Sequence, residues 1–204
     1  MDFRNAKELL KVCQEQGLSI SAVLLQCALT EGEQDPEGTV RKMVRVLEIM
    51  KSAASTPIHT PVKSMGGLIG GEAKKISDHK DTGKGLCGDL LERAVIYAMA
   101  TLETNASMGV IVASPTAGSA GIVPGLLLAL QETYNLSDEQ IKQGLYNASA
   151  IGYLAMRNAT VAGAVGGCQA EVGIASAMAA SATVELMGGS PEQSLAAAST
   201  VLMN

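Results

Sequence analysis

The 204-residue chain has no tryptophan and a single phenylalanine, and aromatic residues make up only 2% of it. Stacking platforms for bases or sugars are built on aromatic faces and are not expected. A basic excess is also missing: 15 Lys and Arg stand against 20 Asp and Glu, a net charge of −5. A surface that follows nucleic-acid phosphates needs the opposite balance, so no nucleic-acid partner is expected. Long apolar runs are absent too. The stretch 108–130 is broken by Pro115, Pro124 and four glycines, and the stretch 159–187 carries Gln169, Glu171 and Glu185. Neither is the run of about 18 or more apolar residues that a membrane helix requires. The opening MDFRNAKELL lacks the apolar centre of a secretion signal. A cytoplasmic chain without a membrane partner is the expectation.

Cysteine is sparse and scattered. Cys13, Cys27, Cys87 and Cys168 form no CxxC pair, which argues against a secreted disulfide scaffold. Cys13, Cys27 and Cys87 read as structural positions on helix faces. His59 and His79 are the only histidines and lack the spacing of a histidine–zinc site. Both read as loop residues.

What the chain does have is small aliphatic residues in helical periodicity. Hydrophobic residues make up 47% of it, among them 10 Met, so the chain is too apolar for disorder. The pattern predicts an all-α fold, a single helical domain over 1–204 with glycine-rich loops. Helices are expected over 5–16, from a Ser19 cap to Leu29, over 36–54 with Pro36 at the first position, over 89–103, from about Gly121 to Tyr134, from a capping box at Ser137–Gln140 to Met156, over 169–187, and from a second capping box at Ser190–Gln193 onward. The last of these runs to Asn204 without a stop signal, which reads as a fraying end or as a fragment. The stretch 56–85, with Pro57, Pro61 and two glycine pairs, is expected to be irregular. A short strand over 109–113 is possible on local propensity.

Three constellations carry chemistry. Ser114-Pro115-Thr116-Ala117-Gly118-Ser119-Ala120-Gly121 sets hydroxyls and glycines before a helix, where free backbone N–H groups suit a carboxylate or phosphate. The plain alternative is a turn whose glycines serve close helix packing. Gly166-Gly167-Cys168-Gln169-Ala170-Glu171 places a thiol after flexible glycines at a helix start, where the dipole favours thiolate, the form that binds metal. The alternative is a small buried hydrophobe. Glu171, one turn on, either faces the same site or is a first-turn acid. Ser64 to Lys75 holds Gly66-Gly67 and Gly70-Gly71, which permit close backbone approach to a ligand or make a flexible loop.

At these residues a family resemblance appears. Gly67-Leu68-x-Gly70-Gly71-Glu72-Ala73, Asn105-Ala106-Ser107-Met108-Gly109, PTAGSAG at 115–121 followed by Pro124-Gly125, GGCQAEVG at 166–173 and Gly188-Gly189-Ser190-Pro191-Glu192-Gln193 resemble, in order and separation, the alpha chain of iron–sulfur L-serine dehydratase. The resemblance implies an all-helical lyase that converts L-serine to pyruvate and ammonia, in amino-acid degradation and gluconeogenesis. It implies a 4Fe–4S cluster with Cys168 as one of three thiolate ligands and one iron open as a Lewis acid. It implies substrate contacts from Asn105, Ser114, Thr116, Gly118, Ser119, Gly67, Gly70 and Gly71, converging with Cys168 on one cleft. A beta subunit or domain and an oligomer are implied as well.

The other two cysteines of that pattern belong to a segment of the form CDP…G…VPC, expected after Asn204, so residues 1–204 are expected to be truncated and inactive alone. The α-proton base is not identified. Gly66, Ile69 and Glu72 depart from the Thr, Thr and Asp common in the family. Competing readings are a non-enzymatic helical interaction or regulatory module, and a pyridoxal-phosphate enzyme using 115–121 as a phosphate cradle.

Overall fold

The computed structural model describes residues 3–31 and 35–203. Among them are nine helices: α1 Ala6–Gln16, α2 Ile20–Glu31, α3 Pro36–His59, α4 Glu72–Asp81, α5 Asp89–Ala106, α6 Ile122–Tyr134, α7 Asp138–Asn158, α8 Gly163–Leu186 and α9 Pro191–Leu202. The expected all-α class is what the chain adopts. The described residues contain no strand, the 109–113 segment included. A lone extended segment has no neighbour to pair its backbone groups and gains nothing from local propensity. No described helix is long and apolar enough to cross a membrane.

The chain falls into two compact units, residues 1–45 with 138–204, and residues 46–137. In the first, Phe3, Leu9, Cys13, Ile20, Val23, Cys27, Ala150 and Leu154 form one buried cluster from the chain start, α1, α2 and α7. Asn5 caps α1 by accepting the Glu8 N–H at 2.9 Å, and Gly17 ends the helix in the left-handed conformation at φ +65°. The Ser190 capping box opens α9 as the sequence predicts. Cys13 and Cys27 are the structural thiols they were expected to be.

In the second unit α6 lies on α5 at backbone distance. A Cβ at Gly121 would stand 2.6 Å from the Ala98 carbonyl oxygen, and one at Gly125 would stand 2.9 Å from that of Ala94. Gly121 therefore serves helix packing.

Four local expectations are corrected. The stretch 56–85 is not irregular throughout: α3 continues to His59 with Pro57 inside it, and α4 lies in the middle. Pro57 cannot donate to the carbonyl four residues back, that of Ala53. Thr104 Oγ1 donates to that carbonyl instead, at 2.8 Å. α4 is polar, with only Ala73 buried, so it has no apolar stripe to reveal it. A Lys74–Asp78 pair at 2.8 Å supports it from within. His59 and His79 consequently lie on helices. Cys87 lies in the exposed turn before α5, not on a helix face. Finally, residues 163–166 form a helical turn of their own, and the expected glycine-rich break is confined to Gly167 (φ +78°, ψ 167°), after which the main part of α8 begins.

Candidate functional site

The second unit gathers three of the sequence motifs at the C-terminal end of α5. Four consecutive residues there reach four different segments. Glu103 Oε1 accepts the Ala73 N–H, at the start of α4, at 2.8 Å. Thr104 bonds α3 through the Ala53 carbonyl. Asn105 Nδ2 donates to the Ala117 carbonyl at 3.0 Å. The Ala106 carbonyl accepts the Met65 N–H at 3.3 Å. The glycine-rich loop, Asn105 and the 114–121 segment are thus assembled around one helix end.

The glycine-rich loop is closed on itself. Ser64 N–H donates to the Ile69 carbonyl at 2.8 Å, and Ile69 N–H donates to Ser64 Oγ at 3.1 Å. Gly70, at φ +147°, has no room for a side chain, because a Cβ would stand 2.1 Å from the Val62 carbonyl oxygen. Its close approach is to the protein's own backbone. Gly67 (φ +69°) faces open space and Gly71 (φ +91°) precedes α4. Glu72 Oε2 accepts the Gly70 N–H at 2.6 Å, so this family departure retains a polar contact with the loop. That donation, above all, holds the Glu72 carboxyl below its ordinary range.

In the 114–121 segment the hydroxyls bond one another. Thr116 Oγ1 and Ser119 Oγ are 3.2 Å apart, and Ser119 Oγ donates to the Ser114 carbonyl at 3.3 Å. Ser114 Oγ is buried and has no protein partner. The peptide before Pro115 is cis. Gly118 and Ala117 are exposed, and Thr116 is half-buried. The segment lies in front of α6, and within it the Ser114, Ala120 and Ile122 N–H groups donate to the Thr116, Ala117 and Ser119 carbonyls.

Cys168 lies in the first unit. It is exposed and directly follows the kink residue Gly167, so it starts the longer part of α8. Glu171 folds back over the first turn: a Cβ at Gly163 would stand 3.1 Å from its carboxyl group. Beside this stretch is a trough of about 660 Å³, lined by Thr160, Gly166, Gln169, Gly173, Ser176 and Leu202 among others; Cys168 is not among its lining residues. Cys13 and Cys27 are buried, and burial pushes the Cys13 thiol up to about 11 with the Glu185 and Glu192 charges adding to it. The described residues contain no group of three or more His, Cys, Asp or Glu arranged to hold a metal ion. Cys168 is a free, exposed thiol of the kind a cluster ligand requires, and the described residues do not complete a ligand set around it.

Two features escaped sequence reasoning. One is Glu103, 1% exposed, whose second oxygen has no hydrogen-bond partner. The other is a polar cavity of about 300 Å³ lined by His59, Lys80, Arg93, Tyr97 and Glu132 among others. Its charges are matched: Arg93 pairs with Asp89 and Glu132, and Lys80 with Asp89. Burial, then the bond to Glu132, pushes the Tyr97 hydroxyl pKa up. Helix-spaced polar residues look like an ordinary solvated face in sequence, and no motif marks either feature.

The family model for the serine dehydratase alpha chain matches residues 15–204. The chain belongs to this family. It is 45% identical over 202 residues to the probable L-serine dehydratase alpha chain of Bacillus subtilis, covering 99% of this chain and 67% of that one. It is 41% identical over 202 residues to the L-serine dehydratase alpha chain of Peptoniphilus asaccharolyticus, covering 99% and 69%. An L-serine dehydratase of Streptomyces coelicolor is 36% identical over 198 residues, covering 94% of this chain and 42% of that protein. The chain thus spans about two thirds of the two alpha chains, and less than half of the Streptomyces protein.

Proposed function

We propose that this chain is the alpha chain of an L-serine ammonia-lyase, working in the cytoplasm with a beta chain or domain in an oligomer. The observation that carries the reading is the family match over 15–204, with alpha chains of L-serine dehydratases among its relatives. The reaction removes the α-proton and the β-hydroxyl of serine as water. The resulting aminoacrylate tautomerises and hydrolyses to pyruvate and ammonia.

The finer part of the proposal concerns residues. Cys168 is one thiolate ligand of a 4Fe–4S cluster, a role suited to an exposed thiol at a helix start. When bound, the cluster supplies an open iron as a Lewis acid for the serine hydroxyl. Thr116, Ser119 and the backbone N–H groups before α6, with Ser114 and Gly118 shaping the turn, receive the substrate carboxylate. Asn105 fixes that turn through Ala117 and leaves its amide oxygen for the substrate. Gly67, Gly70 and Gly71, in the glycine-rich loop of the same unit, form a further wall of the substrate site.

Anaerobic reconstitution of the native protein with iron and sulfide, followed by a pyruvate assay on L-serine, is the test. Pyruvate formation that Cys168→Ala removes together with the bound iron is the expected result. Iron content unchanged in Cys168→Ala would overturn the ligand role, and no pyruvate from the native protein would overturn the lyase.

A further inference from the structure

We infer that the polar cavity lined by α3, α4, α5 and α6 is a second ligand site, one that takes a small zwitterion of the α-amino acid class. The cavity measures about 300 Å³, the lower end of the range for ligand pockets, so its ligand is small. Its lining brings two charges of each sign together, Lys80 and Arg93 with Asp81 and Glu132. A ligand of one sign would be repelled by one of these pairs. A ligand that carries both a carboxylate and an ammonium matches the whole set. The cavity shares no lining residue with the glycine-rich loop, Asn105 or the 114–121 segment.

Some of these groups are already committed and hold the walls in place. Arg93 Nε donates to Asp89 at 2.6 Å, Arg93 Nη1 and the Tyr97 hydroxyl both donate to Glu132, and Lys80 Nζ meets Asp89 at 2.6 Å. Others keep bonding capacity for a ligand. Arg93 Nη2 donates to no described residue, and Lys80 has three ammonium protons, more than its pair with Asp89 uses. The side chains of Asp81, Ser77 and His59 have no hydrogen-bond or ion-pair partner among the described residues. Asp81 and Ser77 are half-buried and the Lys80 side chain is 18% exposed, so water screens these groups less than it would on an open surface. The ligand carboxylate goes to Lys80 and Arg93, and its ammonium to Asp81 and Glu132. The position of the cavity has a consequence for the candidate site. α4 buries only Ala73, so polar bonds hold it in place. Its C-terminal half lines the cavity, whereas its first turn reaches the candidate site, through the Ala73 N–H to Glu103 and through Glu72 to the Gly70 N–H. A ligand that joins Asp81 to Arg93 ties α4 to α5 and steadies the glycine-rich loop at the other end of α4. Any effect on catalysis rests on the serine-lyase reading; the binding does not.

L-alanine is the probe, because it carries both charges and has no β-hydroxyl to lose. Hydrogen exchange at the amides of residues 77–81 is the readout, in the native protein and in the Asp81→Asn and Thr116→Val variants. Asp81 has no protein partner, so its substitution leaves the fold intact. L-alanine should slow exchange at these amides in the native protein, while acetate and methylammonium at the same concentration should not. Asp81→Asn should raise the L-alanine concentration required about tenfold, the scale of one lost bond to a charged group, and Thr116→Val should leave it unchanged. Slowing should extend to the Gly70 amide; slowing confined to 77–81 would keep the site and overturn its link to the loop. No slowing by L-alanine, equal slowing by acetate alone, or a response that Thr116→Val removes and Asp81→Asn does not, overturns the inference. The measurement needs no turnover, so a native protein that leaves L-serine unchanged would sink the lyase reading while the exchange result still decides the site.

Discussion

Thr104 Oγ1 donates to the Ala53 carbonyl at 2.8 Å, the carbonyl that Pro57 leaves without its helical partner. Ala53 and Pro57 are both buried, so water cannot take over the acceptor. Thr104→Val should cost about 1–3 kcal/mol by stranding that oxygen. In a Pro57→Ala background the residue at 57 regains an N–H, and the same substitution should cost less. A denaturant double-mutant cycle measures the difference; strict additivity would show that the two residues do not share the carbonyl.

The glycine-rich loop makes a contrast between neighbours. Gly70→Ala meets both a positive φ and a carbonyl oxygen 2.1 Å from its new Cβ. It should lose about 3 kcal/mol or more. Gly67→Ala faces open space and carries only the left-handed conformation, a cost of about 1–2 kcal/mol. Equal losses in urea unfolding would contradict the loop geometry.

The cysteines should divide cleanly on alkylation. Cys87 and Cys168 are exposed and should react in the folded protein freed of iron, whereas Cys13 and Cys27 should react only on unfolding. Cys13→Ser should lower stability by about 1–3 kcal/mol, because it buries a hydroxyl, and should leave iron uptake intact. The raised Cys13 value adds an alkaline effect: its stability contribution is complete below the ordinary thiol value of 9.0 and is lost as pH rises toward about 11.

Acid should act through Asp89. Hydrogen bonds from Arg93, then Lys80, hold its carboxyl well below the ordinary value of 3.8. A depressed carboxyl stabilises the fold above its unfolded value, and that contribution disappears as pH falls through the folded one. Melting temperature should decline more steeply below about pH 4 in the native chain than in Asp89→Asn. Parallel profiles would mean that the Arg93–Asp89–Lys80 cluster contributes nothing.

Legibility followed the apolar period. α1 and α9 were readable to within a few residues because caps and core-facing positions agree, and α5 was readable from its apolar positions alone. α4 was not, because its support comes from Glu103 on another helix and from an internal ion pair. The 114–121 motif and Asn105 were visible as residue types, but the bond from Asn105 to Ala117 is a tertiary fact. Glu103 was invisible for the same reason: a glutamate inside an amphipathic helix looks solvated until the neighbour that buries it is known.

Four successive side-chain or backbone groups at the end of α5 each face a different direction, as a helix turning about 100° per residue makes them do. Adding or deleting one residue within α5 would rotate that end by the same angle and misdirect all four bonds together, even if every residue type were preserved. The length of this helix is therefore under tighter constraint than most of its composition, while insertions in the exposed 82–88 turn would leave the four bonds aligned.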